Sequence, residues 1–182
     1  DYTPAMLAEA RRLLGRYRPT LLLGDAERLP FRDGSFDLVA CRASIHHFLH
    51  PQQAVAEMAR VCRRGGRVLL VDVISSEDDA RSELHNLMGR LRDPTEVRQW
   101  KLSELQSMLE RAGLSLGESR VHTHLMPFDE WISLGETDPE TAARLREMMI
   151  ASMDGDRAGL SPRFVDGELH FLWRTGLVLG WR

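Results

Sequence analysis

Three polar residues lie beside segments predicted to be strands or helices, at positions where a sheet presents ligand-binding groups. Asp25 follows the apolar run TLLLG, Arg42 follows FDLVAC, and Asp1 precedes the first helical pattern. In open α/β sheets, ligands bind beyond the carboxyl ends of the strands. A carboxylate there can accept hydrogen bonds from the hydroxyl or amino groups of a ligand. Taken alone, each aspartate is better explained as a loop residue or a helix cap, but their successive placement predicts a binding site.

Two adjacent histidines form a second group of chemically active residues. His46 and His47 begin the connection after FDLVACR, and Asp72 ends the run GRVLLVD. Imidazole titrates near neutral pH, so a histidine at this place could exchange a proton with a bound molecule. The alternative for each histidine is a packed or capping role at a helix start. The alternative for Asp72 is a structural cap.

The elements that must position these residues are three apolar runs with helical patterns between them. The runs cover residues 20–25, 36–42 and 66–74. Because the runs are continuously apolar, they predict parallel strands covered on both faces. Residues 51–63 repeat apolar side chains at helical spacing and end at Gly65-Gly66, which predicts the connecting helix. The fold class is therefore α/β.

The ends of the chain add further elements. Thr3 and Pro4 mark the start of a helix with one buried face, ending near Gly15. In the second half, the sequence predicts a strand over 116–126, helices over 128–135 and 139–152, a loop over 153–166 and a strand over 169–181. The last strand is expected to pair antiparallel with the strand at 116–126 at the edge of the sheet.

Bulk properties exclude several classes of function. The chain has 182 residues, enough for one domain, and a net charge of −3, which argues against binding to nucleic acid. No apolar run is long enough to predict a membrane span. Cys41 and Cys62 lie in apolar runs without metal-ligand spacing, so we expect reduced thiols, no metal site and a cytoplasmic location.

Four motifs in this order resemble one enzyme family. They are GDAERLPF at residues 24–31 (the motif begins at Gly24), SFDLV at 35–39, IHHF at 45–48 and RRGGRVLLVD at 63–72. Together they resemble class I S-adenosylmethionine-dependent methyltransferases, within the group that includes ubiquinone/menaquinone-biosynthesis C-methyltransferases. The segment LRDPTEVRQWKLSELQSMLERAGL is similar to this group as well. The resemblance implies a Rossmann-like sheet with helices on both faces and S-adenosylmethionine as cofactor.

The resemblance also implies roles for the cofactor-binding residues. Asp1 would bind the ribose hydroxyls with Tyr2 packed nearby, and Asp25 would meet the adenine amino group. The remaining contacts would come from backbone groups: the N–H of Ala26 to an adenine ring nitrogen, and the carbonyls of Arg42 and Ala43 to the methionine moiety.

The substrate side of the site follows from the same resemblance. His47 would be the catalytic base when the acceptor atom is a carbon, since a carbon acceptor must lose a proton. His46 and Asp72 would contact the substrate. The acceptor is expected to be a small organic molecule, with a quinol-type ring carbon as the narrower hypothesis.

In this family, a first strand, a glycine-rich loop and a second strand precede the acidic residue that Asp1 matches. The resemblance therefore predicts that residues 1–182 form a single methyltransferase domain truncated at its N-terminus. The open sheet edge would favour a homodimer. Two alternatives stay open: a catalytically silent scaffold or assembly module, and a nucleotide-linked oxidoreductase. The oxidoreductase is disfavoured because no GxGxxG motif precedes a helix.

Overall fold

Five strands form one mixed sheet in the computed structural model, which describes residues 1–182. The strands are β1 (Phe36–Arg42), β2 (Cys62–Val73), β3 (Ser115–Pro127), β4 (Arg163–Val165) and β5 (Glu168–Trp181). The helices are α1 (Pro4–Leu14), α2 (Pro51–Val61), α3 (Asp79–Arg92), α4 (Leu102–Arg111), α5 (Phe128–Ser133) and α6 (Pro139–Ala151). The sheet order is β1-β2-β5-β3, and β4 pairs with the start of β5.

The parallel pair at one side of the sheet positions the predicted site. β1 and β2 run parallel, with Arg42 opposite Val71, and α2 connects them as predicted. The face of α2 that the helical spacing marks, including Ala54, Val55 and Met58, is buried. Because parallel strands joined by a helix end at the same edge of the sheet, the residues that follow β1 and β2 meet there.

Two hydrophobic clusters cover the sheet. One contains α2, α4 and strand residues such as Leu70 and Val178, and the other contains α3, α5 and α6 around Trp131 and Phe171. Phe171 and Val178 both belong to β5 but lie at positions of opposite parity, and side chains alternate between the two faces of a strand. The helices therefore lie on both faces of the sheet, as the resemblance implies.

The predicted elements of the second half are largely confirmed. The strands at 116–126 and 169–181 form β3 and β5, which pair antiparallel at the edge that β3 occupies. Asp138 caps α6 by accepting bonds from Glu140 N and Thr141 N, both at 3.0 Å. Within the predicted loop at 153–166, residues 163–165 instead form β4, because β2 pairs with β5 only from Thr175 onwards and leaves that side of residues 168–170 free.

Two predictions for the first 25 residues are wrong. Residues 20–25 are not a strand: Asp1 N donates to Leu22 O at 3.1 Å, Gly24 N donates to Asp1 O at 2.9 Å, and one isolated bridge joins Asp25 to Arg28. A strand needs a neighbour along several residues, and this segment has only the single residues Asp1 and Arg28 as partners. α1 forms at the predicted place, yet none of its residues is buried, and Met6, Leu13 and Leu14 on the face predicted to be buried are exposed.

Each helix is too short or too polar to span a lipid bilayer. Cys41 and Cys62 are both free thiols. Burial, followed by the negative charge of Asp72, raises the pKa of the Cys41 thiol to about 12. This thiol is therefore not a reactive nucleophile near neutral pH.

Candidate active site

Asp72, near the carboxyl end of β2, organises the loop that follows β1. Its Oδ2 accepts hydrogen bonds from three successive backbone N–H groups: Ser44 at 3.1 Å, Ile45 at 2.8 Å and His46 at 3.3 Å. These groups open a single 3₁₀ turn, Ile45–His47, so the buried carboxylate satisfies donors that the turn itself cannot. Asp72 is thus the structural cap that the sequence offered as an alternative role.

Asp72 also orients His46. The distance from His46 Nδ1 to Asp72 Oδ1 is 2.6 Å, and the two side chains are 11% and 1% exposed. Burial lowers the pKa of His46, but the hydrogen bond to Asp72 and its charge outweigh burial, so the net pKa is raised. Since a carboxylate only accepts hydrogen bonds, Nδ1 carries the proton and Nε2 of the neutral ring is the basic nitrogen.

The imidazole of His47 bonds to a backbone carbonyl instead of a carboxylate. Its Nδ1 donates to the backbone oxygen of Thr95 at 3.0 Å, which again leaves Nε2 as the basic nitrogen. The rings of His46 and His47 lie 4.0 Å apart between centroids, tilted by 44°. Both histidines therefore present a basic nitrogen from one short turn, but only His46 has a carboxylate partner.

One cavity of about 350 Å³ brings together five of the predicted site residues. They are Arg42, Ala43, His46, His47 and Asp72. Ala43 adopts a left-handed backbone conformation with φ +48°, and its N–H donates to Val71 O at 2.8 Å. A non-glycine residue held at positive φ is strained, and such strain concentrates where a chain must turn beside a functional site. The cavity is the best candidate for the acceptor site.

The cavity also contains residues that the sequence analysis did not select. Arg92 and Glu96 line it from α3 and the loop after it, and His124, Trp173 and Thr175 line it from β3 and β5. Burial raises the pKa of Glu96, and the nearby charge of His46 offsets this only in part. The segment LRDPTEVRQW carries the family resemblance and contains Arg92 and Glu96. That segment could have pointed to these two residues. Their spacing, however, does not distinguish them from the other polar residues of the segment.

The residues predicted to hold the adenosine do not line this cavity. Asp1 and Asp25 are exposed, and the backbone bonds of Asp1 to Leu22 and Gly24 hold Asp1 beside the segment that ends at Asp25. One oxygen of each carboxylate accepts a local backbone N–H, from Thr3 and Glu27 respectively. Tyr2, which is expected beside the ribose, is 75% exposed.

These groups nevertheless match the chemistry of an adenosine. The second oxygen of each carboxylate, on Asp1 and Asp25, has no partner in the protein, and the N–H of Ala26 donates no hydrogen bond. Free acceptors suit ribose hydroxyls and an amino group, and a free N–H suits a ring nitrogen. These two acceptors and one donor therefore fit the adenosine of S-adenosylmethionine. No cluster of histidine, cysteine or acidic side chains is arranged to hold a metal ion.

Comparison with known proteins agrees with this assignment. The family described as "Methyltransferase domain" matches residues 1–70. The uncharacterized methyltransferase YcgJ of Bacillus subtilis is 43% identical over 114 residues, which are 63% of this chain and 45% of that protein. The chain thus spans less than half of this relative in that alignment. A ubiquinone/menaquinone biosynthesis C-methyltransferase of Burkholderia mallei is 43% identical over 75 residues, 40% of this chain and 30% of that protein.

Solved structures extend the similarity to the whole chain. The crystal structure of YcgJ superposes with a TM-score of 0.89 at 31% identity, covering 99% of this chain and 79% of that one. A structure from Bacillus halodurans C-125 gives a TM-score of 0.90 at 30% identity, covering 99% of this chain and 80% of that one. These relatives agree with the parallel strands and with the cavity at their carboxyl ends. The chain therefore belongs to the class I S-adenosylmethionine-dependent methyltransferases.

Proposed function

We propose that this chain transfers the methyl group of S-adenosylmethionine to a small organic acceptor in the cavity beside His46 and His47. One observation carries the proposal. The strand-end residues Arg42 and Ala43, expected near the methionine moiety, share a single cavity with two histidines and a buried aspartate. A methyl donor held at this strand end would therefore lie beside groups suited to orient an acceptor and to take its proton.

The bound cofactor supplies a methyl group on a sulfonium, which is an already activated leaving group. The protein must therefore align the nucleophile with that methyl group and exclude water. The cavity walls support this role, since His46 is buried and Trp173 adds an aromatic surface. The contribution of the protein is chiefly the positioning of the acceptor.

A carbon acceptor also needs a base, and two histidines compete for that role. The sequence prediction is His47, whose basic Nε2 follows from its bond to Thr95. The contacts favour His46, because the Asp72 carboxylate stabilises the imidazolium that forms when Nε2 takes a proton. We therefore propose His46 as the base, held by Asp72, with His47 as a neighbour that contacts the acceptor.

A quinol-type ring carbon is the narrower proposal for the acceptor atom. Its support is the partial identity with ubiquinone/menaquinone C-methyltransferases, together with a cavity that combines an aromatic wall and two histidines. A flat ring could lie against Trp173 with its hydroxyl groups towards the polar side of the cavity.

Binding of S-adenosylhomocysteine and methyl transfer to a panel of phenols, quinols, amines and carboxylic acids test this function. Calorimetric titration should show binding, and Asp25→Ala should weaken it by about 1 to 3 kcal/mol because the ligand amino group loses its acceptor. The control, Asp33→Ala, removes a carboxylate that is 76% exposed and should leave the affinity unchanged. Absence of both binding and methylated product would favour the silent scaffold instead.

A further inference from the structure

Arg92, the last residue of α3, is a buried cation without a hydrogen-bond partner. Its side chain is 9% exposed, and none of its guanidinium nitrogens donates a hydrogen bond within the protein. Nε is fully buried without a partner. Leaving charged donors buried and unbonded is costly, so such an arrangement calls for a ligand or a function. The remaining surface of this side chain forms part of the cavity wall beside His46 and Asp72.

The neighbours of Arg92 hold it in place without satisfying it. Its Nη2 lies 3.8 Å from Asp93 Oδ2 and 3.8 Å from Glu96 Oε2, beyond hydrogen-bond distance. Asp93 is already engaged, because its Oδ1 accepts from Thr95 N at 2.9 Å and from Thr95 Oγ1 at 2.6 Å. On another side, the guanidinium carbon lies 5.4 Å from the centre of the Trp131 ring. These neighbours thus orient the Arg92 guanidinium, while its N–H groups remain free to bind a ligand.

The carboxyl groups that line the cavity are compatible with a bound anion. Three carboxyl groups line it, and two of them, Asp72 and Asp93, accept several hydrogen bonds from the protein. The third, Glu96, has a raised pKa through burial, so its neutral form is favoured more than in an ordinary glutamate. Oε1 of Glu96 is buried against Gly89, so this carboxyl group presents little charge to the cavity.

We propose that Arg92 binds an anionic oxygen of the methyl acceptor, so that the acceptor is a planar organic molecule bearing a carboxylate or a phenolate. Arginine is suited to this because its fork of N–H groups matches an anionic oxygen pair or a single oxyanion with strong, directed bonds. Trp173 in the same cavity provides the surface for the planar part. This inference rests on the proposed methyltransferase function and narrows its substrate class.

The test measures binding of simple probes without cofactor, followed by NMR of the backbone and arginine Nε–H signals. Benzoate is compared with neutral benzamide to test the carboxylate, and 4-nitrophenolate with 4-nitroanisole to test the phenolate. We expect at least one anion to bind in the millimolar range or tighter, shifting the Arg92 signal, and to exceed its neutral partner by about tenfold to a hundredfold.

Variants separate charge from geometry. Arg92→Gln should lower the affinity for the anion by about tenfold to a hundredfold, and Arg92→Lys, which keeps the charge but loses the fork, should lie between it and the unmodified chain. Arg90→Gln, two residues earlier on the exposed side of α3, is the control and should leave the affinity unchanged. If Arg92→Gln does not fold, the comparison of charged and neutral probes on the unmodified chain still decides.

Three results would overturn the proposal. They are equal binding of the charged and neutral probes, binding that shifts NMR signals away from Arg92, and no binding of any probe. Titration with S-adenosylhomocysteine on the same samples tests the proposed function separately. If anions bind at Arg92 while the cofactor product does not bind and no methyl transfer occurs, the anion site stands and the methyltransferase function fails.

Discussion

Replacing Asp72 with asparagine tests the central arrangement of the site, because the two side chains have the same shape but different hydrogen-bonding groups. Asp72 accepts five bonds: three from the loop N–H groups at Oδ2, and two at Oδ1, from His46 Nδ1 at 2.6 Å and Val73 N at 2.7 Å. An asparagine whose oxygen faces the loop keeps the first three. The opposite orientation would leave all three loop donors unbonded, so the amide nitrogen must face His46.

This orientation fixes the expected magnitude. The amide NH₂ cannot accept from Val73 N–H, which is partly buried, and a donor left without a partner in such a place costs about 1 to 3 kcal/mol. His46 can still bond to the amide only by accepting at Nδ1, which moves its proton to Nε2. We therefore expect Asp72→Asn to lower the free energy of unfolding by about 1 to 3 kcal/mol and to remove the basic Nε2 from the cavity.

The effect should depend on pH in a defined direction. Because Asp72 raises the pKa of His46 above its ordinary value of 6.5, this pair stabilises the fold fully below 6.5. That stabilisation is lost as the pH rises through the raised pKa. Asp72→Asn abolishes the contribution, so the difference in stability between the two proteins should be larger below pH 6.5 than at alkaline pH.

Urea denaturation at acidic and alkaline pH measures the stability, and long-range ¹H–¹⁵N NMR of the imidazole rings identifies the protonated nitrogen of His46. Asp79→Asn is the matched control: the Asp79 side chain is 90% exposed in its ion pair with Lys101, and exposed pairs contribute about 0 to 1 kcal/mol. The reasoning is refuted if His46 keeps its proton on Nδ1 in Asp72→Asn, or if the two variants are equally stable.

Two further predictions concern α3. Burial, with a smaller effect from the charge of Arg174, lowers the pKa of His85 to about 4 from 6.5, so stability should fall by about 3 kcal/mol as the pH drops between these values. His85→Leu should remove this acid sensitivity in urea titrations, and the same change at exposed His50 should not. Gly89→Ala should destabilise the fold by about 1 to 3 kcal/mol, because the added methyl would overlap Glu96 Oε1. Gly15→Ala, where nothing lies within 4 Å of the added methyl, should be neutral or slightly stabilising in the same thermal melts, and equal effects would contradict the overlap.

Local sequence patterns determined the elements that frame the site. The continuous apolar runs at 36–42 and 66–74 predicted β1 and the main part of β2, and the helical spacing at 51–63 predicted α2 and its buried face. These segments were predictable because period and apolar content are properties of neighbouring residues. Four family-like motifs in order were enough to predict the methyltransferase fold and its cofactor.

Tertiary structure decided which residues touch. Sequence alone could not show that His46 rather than His47 bonds to Asp72, since the two histidines are adjacent and the aspartate lies 26 residues from His46. Nor could it show that Arg92 enters the cavity unbonded, because that depends on how α3 packs against the sheet. The apolar run at 20–25 illustrates the converse: its composition suits a strand, but strand formation needs a continuous row of backbone partners, and the backbone of this run bonds only to Asp1 and Arg28. Patterns within a segment determine what it can form, whereas hydrogen bonds between distant segments determine what it does form.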